Sequence, residues 1–131
     1  MRIPWIELAI KEARKSTYKT GNDIPVQVGA VVFNKKQYIS SGHNYGCRSL
    51  SKSHNALYRK FSHSVHAEID AIIRAHTNLN GASILVVRLN RNGEFRLAKP
   101  CEHCMAYIEH VGIRNVFYTT SVSPTIEHLT I

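Results

Sequence analysis

The segments "SVHAEIDAII" (residues 64–73) and "KPCEHCMAYIEH" (residues 99–110) each place chemically reactive side chains where a helix is predicted to begin. In the first segment, isoleucines recur on one side of a helix predicted over residues 66–76. In the second, a proline before the first cysteine and a glycine after the last apolar residue bound a helix over residues 101–111. What these side chains can do together therefore depends on whether the fold brings the His-Ala-Glu helix start close to the Cys-x-x-Cys helix start.

Apolar and β-branched runs around these two helices predict the strands of a single sheet. Apolar residues recur at intervals of three and four over residues 5–16, which predicts a further helix. Strands are predicted over residues 26–33, 37–42, 82–89, 114–120 and 125–131. Only about four residues join the last two strands, so that pair should be antiparallel, because a parallel crossover needs a dozen or more. The order α-β-β-α-β-α-β-β predicts an α/β fold, a three-layer α/β sandwich with a five-stranded mixed sheet flanked by helices.

Two of the predicted connections between secondary-structure elements are informative. Asn92-Gly93 is a favourable hairpin turn. Residues 43–64 are polar, basic and irregular, and loops of that length are often functional. We expect a short helix near residues 56–60 within this segment.

Composition bounds the class of protein. The chain has 131 residues, of which 44% are hydrophobic, so we expect one domain over residues 1–131 with one core. No run of about eighteen apolar residues is present, which predicts no transmembrane helix and no membrane partner. The N-terminal segment is charged from Glu7 onward, unlike a signal peptide. Three cysteines without such a signal argue against a disulfide framework, and we expect a cytoplasmic protein.

The net charge of +8 lies entirely in residues 1–65, whereas residues 66–131 are balanced. Clustered positive charge favours an anionic partner, either a phosphate-bearing ligand or a single-stranded nucleic acid. A solvated basic surface is the alternative interpretation.

His66, Cys101 and Cys104 have the chemistry of a metal site. The two cysteines are three residues apart on a helix, so their sulfur atoms share one face. If the two helices lie side by side, one zinc ion can reach all three side chains. Three protein ligands with an open fourth position describe a catalytic zinc, and Glu68 would lie close enough to move the proton of a bound water.

The half-motifs His66-Ala67-Glu68 and Pro100-Cys101-Glu102-His103-Cys104 together resemble the zinc-dependent cytidine/deoxycytidylate deaminase superfamily, whose signature is H-x-E followed by P-C-x-x-C. The resemblance extends from "VGAVVF" (residues 28–33) to "VFYTT" (residues 116–120). It implies that His66, Cys101 and Cys104 bind one catalytic zinc and that Glu68 is the general acid and base. The implied reaction is hydrolytic deamination of a cytosine base to uracil.

The resemblance also implies substrate contacts. The backbone N–H of Ala67 and the backbone of Cys101 would meet the amide edge of the base, and Asn44 would contact the sugar. Pro100 and Tyr118, the latter at the end of its predicted strand, are further candidates for the substrate pocket.

Several alternatives remain at this stage. The predicted C-terminal hairpin is more similar to free-cytidine and blasticidin deaminases, although those commonly use cysteine where this chain has His66. The first hypothesis is therefore an enzyme acting on free (deoxy)cytidine or a nucleotide such as dCMP, with Lys52, Arg59 and Lys60 as candidates for a phosphate. The alternatives are an editor of cytosine in single-stranded DNA or RNA, an adenine deaminase, and a non-catalytic zinc module. We expect a homo-oligomer.

The remaining cysteine and histidines allow other metal sites. A closed structural zinc site would use Cys47 or His63 as its fourth ligand. A second zinc could be bound among Cys47, His43, His54 and His63.

Overall fold

A computed structural model describes residues 3–19, 24–46, 64–122 and 125–131. The strands are, in chain order, β1 (Gln27–Asn34), β2 (Gln37–His43), β3 (Tyr45–Gly46), β4 (Ser64–Val65), β5 (Ser83–Leu89), β6 (Phe95–Arg96), β7 (Asn115–Thr119) and β8 (Ile126–Thr130). The helices among the described residues are α1 (Ile3–Arg14), α2 (Ala67–Ala75) and α3 (Glu102–His110). None of them is both long and apolar enough to cross a bilayer.

The main sheet has the strand order β2-β1-β5-β7-β8. Strands β5 and β7 are parallel, whereas the other neighbours on this path are antiparallel. This confirms the predicted mixed sheet with its last two strands antiparallel, and the short strand β6, which pairs with β5, adds a sixth strand to the five predicted. The short link before β8 allows a hairpin return but no crossover helix.

Helices cover both faces of the sheet. Trp5, Ala9 and Ala13 of α1 pack against alternate residues of the central strands, such as Val31 and Leu85. The intervening residues of those strands face α2 and α3 on the other side, in the cluster Ala30, Val32, Ala71, Ile72, Ile84, Ile108 and Val116. Successive strand residues point to opposite faces, so a strand covered on both faces reads as a continuous apolar run. The three-layer α/β sandwich is confirmed.

Two glycines allow the helices to approach the sheet closely. A Cβ at Gly29 of β1 would overlap the backbone of Ala9 and Ala13 of α1. A Cβ at Gly42 of β2 would lie 2.5 Å from the Ala71 nitrogen and 2.8 Å from Asp70 Oδ2 of α2. The absence of a side chain at these positions sets the depth at which both helices pack.

Three short strands were not predicted. Strand β6 pairs with β5 as a hairpin around Gly93, whose φ is +78°, which places the predicted turn correctly. Asn90 Oδ1 accepts hydrogen bonds of 2.9 Å from the backbone N–H groups of Asn92 and Glu94 and so stabilises this turn. Strands β3 and β4 pair with each other and flank residues 47–63, and the helix expected near residues 56–60 lies outside the described residues.

Helix α1 begins and ends two residues earlier than predicted. The backbone N–H groups of Lys15 and Ser16 bond to carbonyls three residues back, at 3.1 Å each. A tight final turn of this kind ends the helix before the apolar periodicity does.

Candidate active site

Three potential metal ligands converge at the N-termini of α2 and α3. His66 Nδ1 lies 3.3 Å from the Sγ of Cys104 and 3.7 Å from the Sγ of Cys101. The three ligand atoms lie within 4.8 Å of one another. The structure thus brings together the three side chains that the sequence proposed for one metal ion.

The geometry and chemistry of this donor set fit zinc. A tetrahedral zinc with its usual bond lengths holds a nitrogen and a sulfur ligand about 3.6 Å apart and two sulfurs about 3.8 Å apart. The two nitrogen–sulfur distances lie on either side of that value. Among the described residues the cluster has these three members, which is the number of protein ligands that a catalytic zinc takes. Cys47 and His63, the fourth ligands of the closed-site alternative, lie outside the described residues.

His66 and Cys101 occupy equivalent positions, each as the residue that precedes a helix. Both have extended backbone conformations, and neither helix receives a side-chain capping bond. Their carbonyls accept the first helical hydrogen bonds, from Asp70 at 3.1 Å and Met105 at 2.8 Å. The positive ends of two helices therefore face the donor cluster, and this arrangement stabilises thiolate ligands and other anions.

Glu68 lies beside this cluster and is buried, with 5% of its surface exposed. Burial raises the pKa of its carboxyl group, and a hydrogen bond with the Cys104 thiol partly opposes that shift. A carboxyl group with a raised pKa can both accept and return a proton near neutral pH.

Burial also shifts the pKa values of two of the proposed metal ligands, Cys104 and His66. Burial, followed by the charges of Glu68 and Cys101, raises the pKa of the Cys104 thiol. Burial lowers the pKa of His66, as does the nearby charge of His103, and neutral imidazole is the form that binds a metal. A helix N-terminus lowers the pKa of a nearby thiol, but at Cys104 burial is the larger effect. A coordinated divalent ion reverses it, because a ligating thiol is deprotonated.

A cavity of about 220 Å³ opens above the cluster. Its lining includes four residues that the sequence proposed for the site besides Cys101, namely Asn44, His66, Ala67 and Glu68. One open space therefore contacts two of the three proposed metal ligands, the proposed acid and base, and two proposed substrate contacts.

Asn44 is 5% exposed and holds the wall of this cavity together. Its Oδ1 accepts a 3.0 Å bond from the Val28 N–H, and its Nδ2 donates a 2.8 Å bond to the Val26 carbonyl. Val26 and Val28 themselves line the cavity. Asn44 thus supports the start of β1 in addition to facing the open space.

Pro100 and Tyr118 differ from the other proposed residues. Pro100 is buried immediately before Cys101, and Tyr118 packs in the core cluster that faces α2 and α3. Neither is among the described residues that line the cavity, so their substrate contacts stay predictions. His43, the described member of the proposed second zinc site, pairs instead with Glu12 at 3.1 Å.

Sequence reasoning missed other residues of the cavity wall, among them Tyr18, Arg88, Leu97 and Lys99. Arg88 is the one charged residue in the mostly apolar strand β5, and Lys99 directly precedes the Pro-Cys motif. In both cases the position of the charge in the sequence could have indicated a functional role. Tyr18, in the link after α1, had no such indication.

Comparison with known proteins agrees with this geometry. Residues 3–120 match the model of the family described as the cytidine and deoxycytidylate deaminase zinc-binding region. An uncharacterized deaminase of the luxG 3′ region of Aliivibrio fischeri is 32% identical over 97 residues, which is 72% of this chain and 59% of that protein. The chain therefore spans little more than half the length of this curated relative.

Solved structures share the fold. Cytidine deaminase from Burkholderia pseudomallei superposes with a TM-score of 0.66 at 19% identity, covering 99% of this chain and 92% of that one. The dCMP deaminase of cyanophage S-TIM5 superposes with a TM-score of 0.57 at 18% identity, covering 92% of this chain and 86% of that one.

The family match covers most of the chain, and the matched residues include the His-x-Glu and Pro-Cys-x-x-Cys segments whose side chains converge in the structure. The chain belongs to the cytidine and deoxycytidylate deaminase family that carries this zinc-binding region.

Proposed function

We propose that this protein hydrolytically deaminates the cytosine base of a free cytidine or deoxycytidine nucleoside or nucleotide, using one zinc ion. The observation that carries the proposal is the buried carboxyl of Glu68 beside a His/Cys/Cys cluster at the floor of an open cavity. A structural zinc site has no need of a buried acid facing such a space. The family membership gives the same chemistry, and the choice of a cytosine substrate is our inference.

In the proposed reaction the zinc-binding side chains and Glu68 have separate roles. His66, Cys101 and Cys104 would hold the zinc, which when bound supplies a Lewis acid that lowers the pKa of water to about 7. Glu68 accepts a proton from the attacking water and delivers it to the ring nitrogen of the base. A C–O bond forms at C4, and Glu68 then takes the second proton from the new C4 hydroxyl and delivers it to the amino group, whose C–N bond breaks as the C4 carbonyl forms. One water is consumed, and ammonia and uracil are the products.

The cavity walls would orient the base. The N–H groups in the first turn of a helix have no partner within the helix, and α2 has no side-chain cap. In our proposal the Ala67 N–H, at this position, donates to the carbonyl of the base. Asn44, which also lines the cavity, would present its remaining hydrogen-bonding capacity to the sugar.

Replacing Glu68 tests the proposal. Glu68→Gln keeps the shape of the side chain but cannot accept the proton, so we expect ammonia release from cytidine and dCMP to fall by about 100- to 10,000-fold. The zinc content, measured by elemental analysis, should remain near one ion per chain. Glu109→Gln, an exposed residue of α3, is the matched control and should keep both activity and zinc.

Two results would contradict the proposal. One is a Glu68→Gln variant that still produces uracil at the rate of the unaltered protein. The other is an unaltered, zinc-loaded protein that releases no ammonia from cytidine, deoxycytidine or their monophosphates. The homo-oligomer and the cytoplasmic location stay predictions.

A further inference from the structure

We propose that Arg88 and Lys99 form a phosphate-binding subsite at the rim of the cavity, so that the enzyme prefers a cytosine nucleoside monophosphate to the unphosphorylated nucleoside. The inference rests on the proposed function and adds to it the chemical class of the substrate. It is carried by the charge, exposure and backbone anchoring of these two residues.

The cavity has an uneven distribution of charge. Its described lining contains two fixed cations, Arg88 and Lys99, and one carboxyl group, Glu68. Glu68 is buried beside the metal ligands, whereas both cations are exposed. A ligand that places its base against Glu68 would therefore extend toward a positively charged rim.

Neither cation is neutralised within the described part of the chain. The ion pairs there involve other residues, and Arg96, the neighbour of Arg88 across the β5–β6 hairpin, pairs with Glu94 at 3.7 Å. Arg88 and Arg96 lie directly opposite each other, and like charges in such a pair are destabilising. An anion bound at Arg88 would relieve this repulsion.

One buried threonine anchors the backbone around both cations. Thr119, which is fully buried, accepts a 3.2 Å hydrogen bond from the Arg88 N–H through its Oγ1 and donates a 2.8 Å bond to the Arg96 carbonyl. Its own carbonyl accepts a 2.9 Å bond from the N–H of Ala98, the residue before Lys99. The two cations therefore project from backbone held at a common point, which limits the entropy lost when they bind a ligand.

A terminal phosphate is the anion that fits best. A guanidinium binds phosphate through two parallel hydrogen bonds, and an ammonium adds a compact charge. The cavity of about 220 Å³ is small even for a ligand pocket, for which about 300–1,000 Å³ is usual. It therefore has room for one base at a time.

The first test compares substrates in charge-neutralised variants. For the zinc-loaded protein, kcat/KM is measured with dCMP and with deoxycytidine, and the ratio of the two is the readout. We expect this ratio to favour dCMP and to fall by about tenfold or more in Arg88→Gln and in Lys99→Gln. Arg91→Gln, an exposed arginine at the tip of the β5–β6 hairpin and outside the described cavity lining, is the control and should leave the ratio unchanged.

The second test measures binding without turnover. Calorimetry with dUMP and deoxyuridine should show tighter binding of the phosphorylated product, and Arg88→Gln should remove most of that difference. Equal binding of the two products, or a difference that survives in both variants, would overturn the subsite. A single-stranded oligonucleotide that binds more tightly than dUMP, in a manner dependent on Arg88, would overturn the assignment to a free nucleotide.

The two tests distinguish a failure of the phosphate subsite from a failure of the proposed deaminase function. Deamination of deoxycytidine and dCMP at equal efficiency would defeat the subsite and leave the deaminase intact. If no cytosine substrate releases ammonia, the proposed function fails, and the calorimetry still decides whether Arg88 and Lys99 recognise a phosphate.

Discussion

Glu12 shows how a single buried side chain connects α1 to the strand that leads to the cavity. It is 7% exposed, and its carboxylate accepts a 2.9 Å bond from Lys15 Nζ and a 3.3 Å bond from the Ser41 hydroxyl. The ring of His43, the residue before Asn44, lies 3.1 Å away through Nδ1. The position of Asn44 therefore depends on an interaction made outside the cavity.

This interaction predicts acid-dependent stability. Burial acts to raise the pKa of Glu12, but hydrogen bonds and charge from Lys15 and His43 outweigh it, so the pKa lies below its usual value of 4.5. A carboxyl group with a lowered folded-state pKa stabilises the protein above the unfolded-state pKa and loses that contribution as the pH falls through the folded value. We expect Glu12→Gln to lower the free energy of unfolding by about 1–3 kcal/mol near neutral pH.

Denaturant unfolding at several pH values checks this prediction. The difference between Glu12→Gln and the unaltered protein should shrink as the pH is lowered below about 4.5. Glu7→Gln, on the exposed side of the same helix, should change little at any pH. A difference for Glu12→Gln that grows in acid would contradict the assignment.

At the scale of single residues, the sequence was most informative where the chemistry allows few substitutes. His66, Glu68, Cys101 and Cys104 were proposed together because a metal site needs these donor types at these spacings, and the structure places them together. The cavity walls could not be found in this way. Tyr18 faces the cavity because of how the link after α1 is placed, and nothing in its local sequence reports that placement.

At the scale of elements, close helix packing depends on glycine in the strands. Gly29→Ala would drive a methyl group into the backbone of α1, so we expect a loss of about 1–3 kcal/mol in the free energy of unfolding. Gly42→Ala should have a similar effect against α2. Gly46→Ala is the control, since no heavy atom of the described residues beyond its chain neighbours lies within 4 Å of the added Cβ.

Thermal and denaturant unfolding of the three variants measures these effects. An unchanged midpoint for Gly29→Ala would show that α1 is not packed as closely as the structure has it. A loss for Gly46→Ala as large as that for Gly29→Ala would show that the effect comes from the loss of glycine in a strand and not from the helix contact.

Elements were predictable where burial gave a long periodic signal. Strands β1 and β5 are apolar on both faces, and their predicted bounds differ from the observed ones by one residue. Strand β6 has only two residues, which is too short for any alternation to show. The end of α1 was misplaced because hydrogen bonding in its last turn, and not the apolar pattern, decides where a helix stops.

At the scale of the whole molecule, the proposed metal site joins two helices that are separate in sequence. His66 precedes α2, whereas Cys101 and Cys104 belong to the start of α3. A ligand that binds only the folded state stabilises it by RT ln(1 + L/Kd), where L is the free ligand concentration. Removing zinc with a chelator should therefore lower the Tm by about 5 °C or more and abolish activity.

Adding zinc back should restore both the Tm and the activity, whereas Ca²⁺, which prefers oxygen ligands, should restore neither. A metal-free protein with an unchanged Tm would show that the contacts between the helices and the sheet hold both N-termini in place without the ion.

The global charge pattern was a poor guide to the location of the cavity cations. The excess positive charge lies in residues 1–65, yet Arg88 and Lys99 come from the balanced half of the chain. Net charge is a sum over the sequence, whereas a cavity samples the few side chains that the sheet brings to one place. Lys52, Arg59 and Lys60, the earlier candidates for a phosphate, lie outside the described residues.

The hydroxyl of Thr119 has a consequence for how the β5–β6 hairpin can vary. This hydroxyl forms hydrogen bonds with the Arg88 N–H and the Arg96 carbonyl at the base of the hairpin. We therefore expect that changes at the exposed tip around Gly93 do not alter the cavity. Insertions, affinity tags or fluorescent labels at the tip should be tolerated, whereas exchanging the hydroxyl for a methyl group would loosen the base. The tip of the hairpin is therefore suited to attaching a label, whereas the residues at its base should not be altered.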